Sequence, residues 1–253
     1  MCGISIFKNI SERDLYEELQ EIWTLMEHRG TDGYGLLIVK DDGEVKILKA
    51  LKKEGLLEEL DNEYRDEEFK YVIAHNRKAS LGSITVNLTH PIKVGDVIVV
   101  HNGTKRSVLK LYPGVESDTE AIARILNDRY EDSVKRYINE WLMGSGVIIG
   151  YDENRDKWLF WKDSTRPLVQ MVSEGYYFSK PVILGESYRV IEDTKSLVES
   201  RDLRGLFKEG MKFHMEDALY PGYCSICRRL MLLVDSDTET GDICWECKIL
   251  NNK

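Results

Sequence analysis

Met1-Cys2-Gly3-Ile4-Ser5-Ile6-Phe7-Lys8 begins the chain. Residues 2–7 alternate and are β-prone, so a strand starts directly behind a cysteine. Removal of Met1 is expected because the side chain that follows it is small. Cys2 then owns a free α-amino group, whose ordinary pKa is about 7.7–8.0. That amine can take the thiol proton, directly or through water, so one residue supplies both nucleophile and base. Taken alone, the same cysteine reads equally well as a small strand residue. The stretch has no basic region followed by a long apolar run, which excludes a secretory signal. It also lacks the glycine after Met1 that myristoylation needs.

Outward from this strand, Leu15, Leu19, Ile22 and Met26 recur at helical spacing within 11–28, with Ser11 as the N-cap. Strand-like runs follow at 33–39 and 44–48, then at 71–75, 97–101, 147–151, 158–161 and 176–179. Residues 49–69 are charged and weakly patterned. A helix follows Ser117-Asp118, with Ile122, Ile125 and Leu126 on one face, and a second helical pattern covers 131–142. Strand runs broken by a few helices predict an α+β domain with antiparallel sheet. Periodicity leaves the number of layers open.

The 253 residues fit one sizeable domain, 2–210, with a small appendage, 220–253. Gly210, Pro221 and Gly222 punctuate the boundary. No apolar run reaches membrane-spanning length, and the expected location is cytoplasmic. A formal net charge of −9 suits non-specific binding to a phosphate backbone poorly, so no nucleic-acid partner is expected.

Four of the five cysteines form two close pairs. Cys224-Ser225-Ile226-Cys227 is followed by sixteen residues and then by Cys244-Trp245-Glu246-Cys247. Two such knuckles at this separation predict a structural Zn2+ site in a ribbon, each knuckle turning tightly enough to place two thiolates on a tetrahedron. A closed four-thiolate site leaves no open position for chemistry. Cys2 has no cysteine left as a partner, which argues against a secreted disulfide framework.

An acyl-transfer nucleophile needs an oxyanion clamp and a way to hold its substrate. The chain offers candidates at the ends of its elements. Arg29-Gly30-Thr31-Asp32-Gly33-Tyr34-Gly35 follows the first helix, its glycines permitting a tight loop with Arg29 beside the nucleophile. His75-Asn76-Arg77-Lys78-Ala79-Ser80 ends a strand and offers Arg77 to a carboxylate. His101-Asn102-Gly103 ends another, and an Asn amide with a Gly N–H makes an oxyanion clamp. Ser117-Asp118-Thr119-Glu120 opens a helix and offers Asp118 to an ammonium group, although Asp118 also suits plain helix capping. His28, His75 and His101 each lie beside such a residue and read as structural rather than acid–base groups.

Together these segments, with Thr89-His90-Pro91, resemble the class II glutamine amidotransferase domain, an N-terminal-nucleophile hydrolase, over roughly residues 2–205. The motifs are most similar to the glutaminase halves of glucosamine-6-phosphate synthase and glutamine-phosphoribosylpyrophosphate amidotransferase. The resemblance implies a four-layer αββα sandwich of two antiparallel sheets. It implies that Cys2 forms a thioester with L-glutamine, that Asn102 and Gly103 stabilise the oxyanion, and that Arg29 organises the nucleophile loop. Arg77 would take the α-carboxylate, Asp118 and Gly103 the α-amino group, and Ser80 and His90 would lie near the bound substrate. Lys78 stands where the sugar-linked members carry an aromatic residue, and Thr104-Lys105-Arg106 follows Gly103 where asparagine synthetases carry an acidic one. No phosphate loop or dinucleotide fingerprint follows, so the ammonia acceptor is expected on a separate synthase partner. Two rivals stand beside this glutaminase reading. One is a hydrolase of γ-glutamyl or other small amides without ammonia transfer; the other is a non-catalytic binding module that works through the ribbon.

Overall fold

The structure is a computed structural model that describes residues 2–180 and 187–214. Strand β1 (Gly3–Ser11) leads into helix α1 (Glu12–Leu25), then β2 (Tyr34–Val39), β3 (Val45–Ala50), α2 (Lys53–Glu63) and β4 (Glu68–Asn76). Next come β5 (Ile92–Val94), β6 (Val97–Asn102) and helices α3 (Asp118–Asn127), α4 (Asp132–Lys135) and α5 (Ile138–Leu142). The chain then runs through β7 (Val147–Asp152), β8 (Lys157–Lys162), β9 (Val169–Met171), β10 (Tyr177–Phe178), β11 (Ser187–Ile191), β12 (Val198–Ser200) and β13 (Glu209–His214).

One sheet has the order β13-β11-β9-β10-β1-β4-β2-β3, the other β12-β8-β7-β6-β5. Every described pairing is antiparallel. Three cores separate the layers. In the first, Leu15, Leu19, Ile22 and Trp23 of α1 and Leu56, Leu57 and Leu60 of α2 cover Leu36, Ile38, Val72 and Ala74 of the larger sheet. The opposite-parity residues of these strands, Leu37 and Ile73, with Ile4 and Ile6 of β1, meet Ile98, Val100, Ile149 and Phe160 of the smaller sheet in the second. In the third, Val97, Val99, Ile148 and Trp161 pack under Ile122, Ile125 and Leu126 of α3 and Ile138 of α5. Three cores define four layers, αββα, as the resemblance implies. Both faces of each central strand are covered, which is why β2, Tyr-Gly-Leu-Leu-Ile-Val, is buried throughout.

The starts of α1 and α3 follow cap chemistry. The Ser11 hydroxyl accepts from the Asp14 amide at 3.1 Å, and the Ser117 hydroxyl from the Glu120 amide at 3.1 Å. The helical pattern at 131–142 is divided into α4 and α5, and α2 fills the stretch read as weakly patterned. β13 carries the larger sheet to His214. The segment 220–253, with its four cysteines and the zinc ribbon expected there, lies outside the described residues. No helix among the described residues is long and apolar enough to cross a membrane.

Candidate active site

Antiparallel register brings the polar strand ends together. Gly3 at the start of β1 pairs with Asn76 at the end of β4, which also pairs with Tyr34 at the start of β2. In the second sheet Asn102, the last residue of β6, pairs with Val147, the first of β7. One end of the sandwich thus gathers Cys2, the Arg77 segment and Asn102-Gly103. Of the eight residues predicted outside the ribbon, Cys2, Arg77, Ser80, His90, Gly103 and Asp118 line a single cleft. The other two, Arg29 and Asn102, are buried.

Cys2 is nearly buried, 7% exposed. Its Sγ accepts from the Lys78 amide at 3.4 Å and lies 3.7 Å from the Lys78 carbonyl oxygen. Burial pushes the thiol pKa up, while the Lys78 N–H and the nearby Arg29 and Arg77 charges pull against that rise. Arg29 braces Cys2 from behind, its Nε donating to the Cys2 carbonyl at 3.0 Å. Gly3 is required next to it, because a Cβ there would sit 1.8 Å from Asn76 Oδ1. That Asn76 side chain is itself committed, its Nδ2 donating to the Met26 and Gly30 carbonyls, both at 3.0 Å.

Arg77 shapes the rim. Its two terminal nitrogens donate to the carbonyls of Ser83 and Leu81, at 2.9 and 3.1 Å, and curl residues 78–83 around the guanidinium. The loop after α1 braces the same segment: the Asp32 carboxylate accepts from the Ala79 amide at 2.9 Å, and the Asp32 amide donates to the Arg77 carbonyl at 2.9 Å. The hydroxyls of Ser80 and Thr104, 3.0 Å apart, link this rim to the segment after Gly103. Asp118, at the first turn of α3, accepts from the Lys105 amide at 2.6 Å. It therefore holds the loop after Gly103 as well as offering a carboxylate to the cleft.

Asn102 is fully buried, and neither atom of its amide has a hydrogen-bond partner among the described residues. Leaving a buried polar group unmatched costs about 1–3 kcal/mol, so stability alone does not explain an asparagine here. Gly103 follows because nothing larger fits: a Cβ would lie 1.7 Å from the Ser145 carbonyl oxygen. Behind this pair lies a run of buried histidines. The rings of His75 and His90 are 4.2 Å apart and those of His90 and His101 6.4 Å. Burial pushes the His75 pKa down to about 3 and that of His90 well below its ordinary value, so both rings are neutral near pH 7. The His101 amide donates to His90 Nδ1 at 3.3 Å, and His75 Nε2 donates to the His101 carbonyl at 3.2 Å.

Several residues that sequence reasoning passed over support the site. The Lys78 amide faces the nucleophile, Asn76 holds the loop at Met26 and Gly30, and Ser145 presents its carbonyl to Gly103. Asp163 carries that Ser145 turn, accepting from the Gly144 and Gly146 amides at 2.8 and 3.2 Å. Only the Gly144-Ser145-Gly146 triplet just before a strand was a visible signal among these.

No family model matches the chain. In sequence it is similar to glutamine–fructose-6-phosphate aminotransferase (isomerizing) of Salmonella typhi, 32% identical over 193 residues, which are 70% of this chain and 31% of the relative. The enzyme of the same name from Wigglesworthia glossinidia brevipalpis is 29% identical over 185 residues, 67% of this chain and 30% of the relative. The 7-cyano-7-deazaguanine synthase 2 of Sulfurisphaera tokodaii is 26% identical over 187 residues, 68% of this chain and 40% of the relative. The chain thus spans well under half the length of these curated relatives. Among solved structures, glutamine phosphoribosylpyrophosphate amidotransferase from B. subtilis aligns with 79% of this chain and 49% of its own at 18% identity and a TM-score of 0.49. A glutamine aminotransferase class-II domain protein from Silicibacter pomeroyi aligns with 79% of this chain and 98% of its own at 12% identity and a TM-score of 0.42.

Proposed function

We propose that this chain, a class II glutamine amidotransferase by its sequence relationship, is a stand-alone glutaminase subunit that releases ammonia from L-glutamine and hands it to a separate synthase. The observation that carries the reading is the convergence of Cys2, Arg77, Gly103 and Asp118 on one cleft. The roles follow from charge and position. Arg77 takes the substrate α-carboxylate and Asp118 its α-amino group, with Ser80 and His90 flanking the bound molecule. With Met1 removed, the α-amine of Cys2 accepts the thiol proton, and the thiolate attacks the side-chain carbonyl. The Asn102 amide and the Gly103 N–H stabilise the oxyanion, and Arg29 keeps the nucleophile in place. Collapse of the tetrahedral adduct expels ammonia, which leaves with the proton held by the amine. Water then hydrolyses the thioester to glutamate and free thiol.

The test is glutamate release by Met1-processed protein, with free glutamine compared against γ-glutamyl amides. Turnover with Cys2→Ala equal to that of the parent protein overturns the reading. Faster turnover of the γ-glutamyl amides favours an amide hydrolase without ammonia transfer. Cys224, Cys227, Cys244 and Cys247 supply a donor set that fits one tetrahedral Zn2+, which would hold the C-terminal ribbon together and take no part in the reaction. Elemental analysis of purified protein that finds no bound zinc would remove it.

A further inference from the structure

We infer that His101 is the positioning residue that sets the oxyanion clamp and the amine-binding carboxylate at a fixed separation, an assignment that rests on the glutaminase reading. His101 immediately precedes Asn102-Gly103 on β6 and is 1% exposed. Its Nε2 lies 2.8 Å from the Ser145 carbonyl oxygen. A carbonyl only accepts, so Nε2 carries the proton. The other nitrogen, Nδ1, lies 3.1 Å from the Thr119 hydroxyl and accepts from it. Thr119 is the neighbour of Asp118 on α3.

One rigid ring thereby spans two substrate-facing groups. On one side the Ser145 carbonyl stands so close to Gly103 that a Cβ would reach within 1.7 Å of it, and His101 Nε2 is itself 2.8 Å from that Cβ position. On the other side the Thr119 bond fixes the first turn of α3, and with it Asp118. The main chain of His101 is held from the remaining directions, by His90 at its amide and His75 at its carbonyl. Ser145 is fixed in turn by Asp163, which grips the amides on either side of it. These four hydrogen bonds of the ring and backbone of His101 therefore end on segments that carry a proposed substrate-binding or oxyanion group, or on the residues that brace one. Burial, tight packing and two directional ring bonds are what a group needs to hold reacting atoms in place.

The experiment compares His101→Phe, His101→Gln and Thr119→Val with the parent protein. The readouts are kcat and KM for glutamine, thermal melting, and the rate at which iodoacetamide alkylates Cys2. Phe keeps the planar volume and removes both ring nitrogens, and its kcat/KM should fall by on the order of 100-fold, mostly in kcat. Gln retains one donor and should recover part of that loss. Thr119→Val removes only the bond on the Asp118 side and should raise KM by about fivefold, the worth of one neutral hydrogen bond, with kcat little changed. Alkylation, which needs neither the clamp nor Asp118, should proceed at the parental rate in all three. A folded His101→Phe protein with parental kcat/KM overturns the assignment, as does a parallel loss of alkylation and turnover. If His101→Phe does not fold, Thr119→Val decides, and an unchanged KM overturns it. Absence of glutamate release from the parent protein would instead overturn the glutaminase reading.

Discussion

Asn102 is the residue whose environment makes least sense as a contribution to stability. Its amide is buried and unpartnered among the described residues, at the end of a strand whose apolar side chains are well packed. As an oxyanion donor it should behave asymmetrically: Asn102→Ala is expected to lower kcat by about 10²–10³-fold, the usual cost of losing one such donor, while leaving the melting temperature unchanged or higher. Glutamate release and thermal melting on the same sample check both halves, and a stability loss without a kcat loss would count against the role. The buried histidines give a pH signature. His75 and His90 titrate in the folded chain far below their ordinary value of about 6.5, so below that pH the unfolded chain binds protons that the folded chain does not. Their contribution is complete above about pH 6.5 and declines as pH falls, by up to about 1.4 kcal/mol per pH unit for each ring. Between pH 6.5 and 5 most carboxylates stay ionised, but burial raises Glu18 to about 7 and works in the opposite direction, so urea midpoints of a Glu18→Gln protein across that window isolate the effect, and a flat profile there contradicts it. At this scale the sequence was readable where the proposed group is a side chain, as in Arg77, Asn102 and Asp118. It was silent on the Lys78 amide and the Ser145 carbonyl, because backbone groups leave no mark in the residue type.

Elements with long apolar periods were legible and most short ones were not, β10 within the run at 176–179 being the exception. β1, β2, β4, β6, β7 and β8 each have enough buried residues to show against their flanks, and α1 and α3 each carry a serine cap. β9, β11, β12 and β13 are only three to six residues long, too short to show a period of their own, so their pairing depends on partners distant in sequence. Helix α2 escaped for a different reason. Its apolar residues are Leu56, Leu57 and Leu60 alone, set among Lys53, Glu54, Glu58, Glu59 and Asp61, with Gly55 inside the first turn. Those three leucines are what hold it against the sheet. Leu60 is fully buried in the first core, and Leu60→Ala should destabilise the protein by about 2–4 kcal/mol. Chemical denaturation measures this, and a loss below about 1 kcal/mol would mean that the site collapses to fill the space.

Across the whole molecule, the proposed chemistry sits at one end of the sandwich and a buried charge network sits at the other. β7 connects them: Val147 pairs with Asn102 at the cleft end, and Asp152 pairs with Val97 about 17 Å away at 3.3–3.4 Å per residue. Arg129, just past α3, donates to Asp152 at 2.5 Å and to Glu199 at 2.9 Å, with Arg129 and Asp152 both almost fully buried. It thereby ties the helical layer to the centre and to the edge strand of the smaller sheet. Burial opposes ionisation of Asp152, but the Arg129 guanidinium, together with the Arg155 amide and guanidinium, outweighs it and holds the carboxyl below its ordinary range. The resulting stability is present above the ordinary carboxyl pKa of about 3.9 and is lost as pH falls through the lower folded value. Removing one partner of a buried pair costs about 3–5 kcal/mol when the other charge is left alone. Glu199 and the Leu126 carbonyl still hold Arg129, so Asp152→Asn should cost no more than the lower end of that range and depress the melting temperature by roughly 5–10 °C. Because the sheets between the two ends are packed on both faces, the substitution should leave kcat and KM for glutamine at their parental values. A shift in kcat at an unchanged melting temperature would mean that the two ends are coupled through β7, and that the clamp at Arg129 belongs to the catalytic machinery.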